Sequence, residues 1–190
     1  MQLLLVGLTM VLMGDALAQR EAGRDPEPNR LSAESEVSIA GLRAKKISAA
    51  LVFEKKVYAK EKIRSDLYSY PSDGLKVYAL VITPNRATPD DGFPVLIYGH
   101  GFHPQPEKYG VTSTGATSRP GDYYRGIPGR YALEGYLVIA PDYRGHNISE
   151  GFKYTQRESI SSSYYASDVL HLISAIKGLP SANSNRIFYA

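Results

Sequence analysis

The sequence predicts an α/β chain built as an open, mostly parallel sheet with crossover helices. Three observations predict it. Short apolar runs at Pro94–Tyr98 and Tyr136–Ala140, and a third beginning at Arg186, suit strands buried on both faces of a parallel sheet. Between the last two runs, Tyr165, Val169, Leu172, Ile173 and Ile176 fall on one face of a helix. Before the first run, Pro71-Ser72-Asp73-Gly74 is a turn signal between two strand-like segments. The order is therefore hairpin, strand, helix, strand, helix, strand, which is an α/β arrangement.

Each element has its own signal. Ile63, Leu67 and Tyr68 mark the first hairpin strand, and Val77, Leu80, Val81 and Ile82 the second. A short helix is expected over Arg130–Glu134. The longer one takes Ser161–Ser163 as its N-cap and ends at Gly178 and Pro180. The lysine-rich stretch Lys45–Arg64, with Lys55, Lys56, Lys60 and Lys62, reads as a solvated face. No internal repeat is present.

Composition bounds the function. The 190 residues are 43% hydrophobic and 22% charged, enough for one domain core. The formal net charge is +3, with Lys and Arg scattered among Asp and Glu, so no nucleic-acid partner is inferred. The absence of cysteine removes disulfides, thiolate nucleophiles and cysteine-based zinc sites. Residues 1–18 read as a secretory signal peptide. Leu3–Leu12 is apolar but too short to span a bilayer, and Ala16-Leu17-Ala18 offers a cleavage site, although no Lys or Arg precedes the apolar run. Cleavage after Ala18 removes a single charged residue, Asp15. The expectation is an exported protein, periplasmic or extracellular, with no membrane anchor left after cleavage and stabilised by packing alone. Residues 19–46, with Pro26 and Pro28, read as a polar linker.

Sites in open α/β sheets gather at the carboxyl ends of the strands. After the first buried run comes Gly99-His100-Gly101-Phe102, a sharp turn whose backbone N–H groups suit an oxyanion hole or, equally, a turn with no ligand. After the second comes Pro141-Asp142-Tyr143-Arg144-Gly145-His146. These motifs together resemble the α/β-hydrolase superfamily, most of all its prolyl oligopeptidase-like and dienelactone hydrolase-like branch. The stretch Arg119–Pro128 looks like its bacterial members. The resemblance covers about Ile63 to Ala190 and makes residues 47–190 the N-terminal part of a hydrolase domain.

The resemblance implies an exported serine hydrolase that cleaves an ester or peptide bond through an acyl-enzyme, without a cofactor. His100, Gly101 and Phe102 become oxyanion-hole candidates, with the Phe102 N–H as one donor. Asp142, Tyr143, Arg144 and Gly145 become a substrate-cleft loop. The nucleophile elbow, Gly-x-Ser-x-Gly, is expected after the strand at Arg186, and the acid and histidine later still. All three triad members are then expected beyond Ala190, and the chain alone is expected to be inactive. About 40 residues between Ala18 and the first strand are too few for a β-propeller, so small esters are as plausible as peptides. Two other classes stay open: a non-catalytic binding module, and a truncated product without function. Oligomeric state is not readable. The apolar strand at Arg186–Ala190 is expected to be an aggregation-prone edge.

Other candidates carry blander readings. Asn147-Ile148-Ser149-Glu150-Gly151 matches the elbow except at its first residue, but lies in a polar loop, so Ser149 is not taken as the nucleophile. Gly110 and Gly115 bracket Ser113 one residue too widely. Asn147-Ile148-Ser149 is also a glycosylation sequon, relevant only in a eukaryotic secretory pathway. His100 and His103, with His146 and Asp142, have a spacing metals can use, but no metal site is expected. Asp142 and Arg144 are expected to pair and order their loop. His171 is expected near the surface. Tyr109, Tyr123, Tyr124, Tyr131 and Tyr143 either line a pocket or pack loops on the sheet.

Overall fold

The computed structural model describes residues 36–101, 110–111, 126–151 and 161–190. The chain divides into two units, Met1–Gly41 and Leu42–Ala190. The signal peptide and most of the expected linker lie outside the described residues, as do Phe102, His103, Ser113, Tyr109, Tyr123 and Tyr124. The stretch expected to be linker ends in a short helix, α1 (Ile39–Ala44).

The second unit is built on one six-stranded sheet: β1 (Val52–Ala59), β2 (Ile63–Ser72), β3 (Leu75–Pro84), β4 (Phe93–Ile97), β5 (Leu137–Asp142) and β6 (Ala182–Tyr189). The spatial order is β1-β2-β3-β5-β4-β6. β1, β2, β3 and β5 pair antiparallel in turn, and β4 runs parallel to both β5 and β6. The α/β class is thus observed, with the parallel part confined to β5-β4-β6. The hairpin turn is tighter than the turn signal suggested. Ser72 pairs with Leu75, leaving only Asp73 and Gly74, both at positive φ (49° and 81°), as the loop. An Asp-Gly pair suits that two-residue geometry, whose twist matches the flanking strands.

Alternation along the strands divides the core between the two faces. Val77, Ala79, Val81, Val95, Ile97, Leu137 and Ile139 point to one side. There they pack against Leu172, Ala175 and Ile176 of α3 (Tyr165–Ile176). Leu80, Ile82, Leu96, Val138 and Ala140 point to the other, against Ala132 of α2 (Ile127–Leu133). Burial on both faces is why β4 and β5 read as continuous apolar runs rather than alternating ones.

Three local expectations are corrected and one is extended. Lys55, Lys56, Lys60 and Lys62 of the solvated face are exposed as expected, but their stretch also contains a strand, β1, at the edge of the sheet. Its register slips between Phe53 and Lys55 and again between Lys56 and Tyr58, and these bulges erase the period-2 pattern. The helix α2 begins at Ile127, before Arg130, because Pro128 sits in its first turn, where its missing N–H costs nothing. Ser161–Ser163 do not cap α3. They form a 3₁₀ turn (Ser161–Tyr164), and Tyr164 occupies the N-cap without a side-chain bond. The last strand starts earlier than expected, at Ala182. Its start passes so close to Gly92 that a Cβ there would overlap the Ala182 backbone.

Candidate functional site

The parallel strands β5, β4 and β6 end side by side, and their ends carry the residues singled out in the sequence. The end of β4 is stitched to both neighbours. Tyr98 N–H donates to Ile139 O (2.9 Å), Gly99 N–H to Ala190 O (2.8 Å), and Ala190 N–H to Ile97 O (3.0 Å). The backbone at His100–Gly101 therefore emerges next to Ala190. His100 Nδ1 lies 2.8 Å from Gly101 O, and Gly101 is exposed.

A cluster of rings packs over this point. The Tyr143 ring lies 4.8 Å from His100 and stacks on Tyr165 at 4.5 Å. The His146 ring lies 4.7 Å from His100 and 5.5 Å from Tyr165. The Tyr143 and Tyr189 hydroxyls meet at 2.9 Å. A Cβ at Gly99 would overlap both hydroxyls, so only glycine lets the backbone pass beneath them. Burial, reinforced by the hydrogen bond to Tyr189, pushes the Tyr143 phenol well above its ordinary range. It stays a neutral hydroxyl at physiological pH.

The turn after β5 is held from beneath. Arg144 does not pair with Asp142, as expected from sequence, but with Asp168 in the first turn of α3. Its Nε and Nη2 donate to Asp168 Oδ1 at 3.0 and 2.7 Å, and its backbone N–H donates to Oδ2 at 3.0 Å. The Asp168 side chain is fully buried. Arg144 Nη2 also reaches Asp73 (2.9 Å) and Ser72 Oγ (3.2 Å) at the β2–β3 hairpin. Ser72 donates to Asp168 (2.7 Å), Ser167 donates to Asp73 (2.7 Å), and Lys45 bridges to Asp73 at 2.9 Å. Burial works against the Asp73 carboxylate, but donors from Ser167, Lys45 and Arg144 outweigh it and hold its pKa far below the usual carboxylate range. Burial likewise works against the Arg144 charge and is outweighed by Asp168 and Asp73.

Asp142 serves its own loop. Its Oδ2 accepts from Val111 N (2.6 Å), and a Cβ on the neighbouring Gly110 would overlap Asn147 and the Asp142 carboxylate. Gly145 takes positive φ (78°) and donates to Glu150 O. Ser149 is buried. Its hydroxyl donates to Asp142 O at 2.6 Å and accepts from Tyr78 N at 2.9 Å, so it ties the turn to β3. That geometry gives Ser149 a structural role.

Of the seven site candidates, the structure brings His100 and Gly101 together with Asp142, Tyr143, Arg144 and Gly145, and Phe102 lies outside the described residues. Tyr143 and His146 reach His100, whereas Arg144 and Asp142 face inward. His171 is half-buried, with Nδ1 2.9 Å from Ser167 O and Nε2 3.8 Å from Asp73. Tyr131 packs on Tyr136, away from this cluster. Tyr165, Tyr189, Asp73 and Asp168 were missed. Asp168 was readable only as a helix residue, since nothing in a sequence pairs it with an arginine 24 positions earlier. Among the described residues no group of three or more His, Asp or Glu converges as for a metal.

Solved structures share this architecture, two of them as follows. An acetyl xylan esterase from Paenibacillus sp. R4 superposes with a TM-score of 0.51 at 17% identity, over 84% of this chain and 48% of that one. A protein described as a candidate acetyl xylan esterase from Bacteroides fragilis NCTC 9343 does so with a TM-score of 0.55 at 15% identity, over 83% and 44%. The fold is α/β-hydrolase-like. This chain spans under half the length of either hydrolase-like structure. No family model and no curated protein matches it.

Proposed function

We propose that the chain forms the N-terminal part of an exported serine hydrolase of the prolyl oligopeptidase-like and dienelactone hydrolase-like branch. It supplies the fold's first strands and the oxyanion loop, while the nucleophile, acid and histidine follow Ala190. The reading rests on one observation above all: Gly99 and Ala190 are hydrogen-bonded neighbours, so the His100–Gly101 loop borders whatever follows β6. An elbow there would place a serine beside preorganised backbone donors, as acyl transfer requires. The Phe102 N–H would supply one oxyanion bond and the residue after the serine the other.

The reaction would be attack of the serine on an ester or peptide carbonyl, then hydrolysis of the acyl-enzyme. The two structures compared above are described as acetyl xylan esterases, one of them as a candidate, which favours a small-acyl ester over a peptide. The test is labelling by a fluorophosphonate probe, with intact mass measured on protein from the natural source. A species heavier than the 20.9 kDa of this chain should label and hydrolyse short-chain esters. The 190-residue chain should do neither. A heavier species that does not label would sink the proposal.

A further inference from the structure

The site draws on the end of β6 at one edge of the sheet, and the opposite edge, β1, has a composition of its own. Lys55, Lys56, Lys60 and Lys62 are all exposed there, and Arg64 follows at the start of β2. The nearby acids do little to neutralise them. Glu54 is taken by Lys76 at 2.7 Å and Asp66 lies 3.5 Å from Arg64, which leaves Glu61. Among the described residues, none of the four lysines is in an ion pair. Lys60 instead sits over the Tyr58 ring at 6.0 Å. On the same strand Val52 is 55% and Phe53 51% exposed, although Phe53 touches Tyr68 edge-on.

Edge lysines commonly guard a strand against pairing with another chain. That purpose does not account for this edge. Two bulges already disrupt its ladder, and an edge built only to repel would not display a valine and a phenylalanine beside its charges. Unpaired cations flanking exposed apolar side chains match a surface that is anionic outside and apolar just beneath. We propose that the β1 edge, Val52 to Arg64, docks on a membrane surface carrying anionic lipid, with the lysines at the headgroups and Val52 and Phe53 entering the interface. Val52 is what turns the choice from a soluble polyanion to a lipid surface, because an aliphatic side chain gains nothing from phosphate or uronate. No described helix is long and apolar enough to cross a membrane, and the docking proposed here is peripheral. It is also reversible, since each basic residue near such a surface contributes about 1 kcal/mol.

The test is co-sedimentation of the chain with vesicles of phosphatidylglycerol and phosphatidylcholine against vesicles of phosphatidylcholine alone. Binding should require the anionic lipid and should weaken strongly when salt rises from ~0.05 M to ~0.5 M. Lys55→Gln with Lys56→Gln should lower partitioning roughly 30-fold, two residues at about 1 kcal/mol each. Lys60→Gln with Lys62→Gln, outside the strand, should do the same without any question of folding. Phe53→Ser should remove the binding that survives high salt. Lys177→Gln, an exposed lysine elsewhere, should change partitioning several-fold less than one patch lysine. Equal binding to both vesicle types overturns the proposal, as does an equal effect of Lys177→Gln. Displacement by a soluble acidic polysaccharide that binds more tightly than the vesicles overturns it in favour of that partner.

Discussion

The turn after β5 and the loop after β4 lie side by side at the same end of the sheet, yet they are held in opposite ways. Residues 142–146 are all buried. Charge-assisted bonds from Arg144 fix them to α3 and the β2–β3 hairpin, and the Ser149 hydroxyl ties Asp142 to β3. His100 and Gly101 are only partly covered, and their hold is strand-end backbone bonding plus ring contacts from above. A carboxylate–guanidinium pair defines one position and resists displacement. Ring stacking and strand-end backbone bonds leave Gly101 exposed. The contrast is between a charge-held wall and a partly open loop.

The largest expected effect comes from breaking the wall. Asp168→Ala leaves the Arg144 guanidinium in a buried site without its main partner, which costs about 3–5 kcal/mol. Denaturant unfolding should show it, and Asp168→Ala with Arg144→Met should recover much of the loss. A single-mutant cost below about 1 kcal/mol would mean the turn is not held this way.

Ser149 comes next. Ser149→Ala strands the Tyr78 N–H and removes a donor to Asp142 O, at about 2–3 kcal/mol. In an enzyme extended beyond Ala190, the same change should leave fluorophosphonate labelling intact. Loss of labelling with unchanged stability would reverse the structural assignment.

The open loop should answer differently at two glycines. Gly99→Ala drives a methyl group into the Tyr143 and Tyr189 hydroxyls, at about 1–2 kcal/mol. Gly101→Ala meets nothing within 4 Å and should stay within about 0.5 kcal/mol of the parent. Tyr143→Phe combined with Tyr189→Phe removes the obstructing oxygens, so Gly99→Ala should cost less in that background. Equal costs at both glycines in a thermal melt would contradict the close packing at Gly99.

These contrasts also separate what was legible in the sequence from what was not. The strands β4 and β5 were legible because both their faces are buried, and their motifs drew attention to His100 and to Asp142–Gly145. The face of α3 was legible from its spacing. β1 was not, since two bulges and exposure on both sides leave no periodic signal. The partner of Arg144 was not, because pattern favoured the carboxylate two residues away, whereas the fold delivers Asp168 and Asp73 from α3 and the hairpin. Tyr189 joins Tyr143 only through the parallel pairing that brings three strand ends together, and Tyr165 only through the start of α3.

The smallest effect is a pH dependence that belongs to the wall alone. Asp73 has a folded pKa held far below its unfolded value of about 3.9, because Ser167, Lys45 and Arg144 donate to the ionised form. A depressed folded pKa contributes stability that is present above the unfolded pKa and is lost as pH falls toward the folded one. Unfolding free energy should therefore decline from about pH 5 downward. Asp73→Asn keeps a neutral acceptor and should flatten part of that decline while lowering stability at neutral pH. Lys45→Met should flatten it less, as Arg144 and Ser167 still donate. The aromatic circular dichroism of the ring cluster over Gly99 should stay constant until global unfolding sets in. If that signal faded first, the two loops would be melting together, and the separation of a charge-held wall from a ring-held loop would fail.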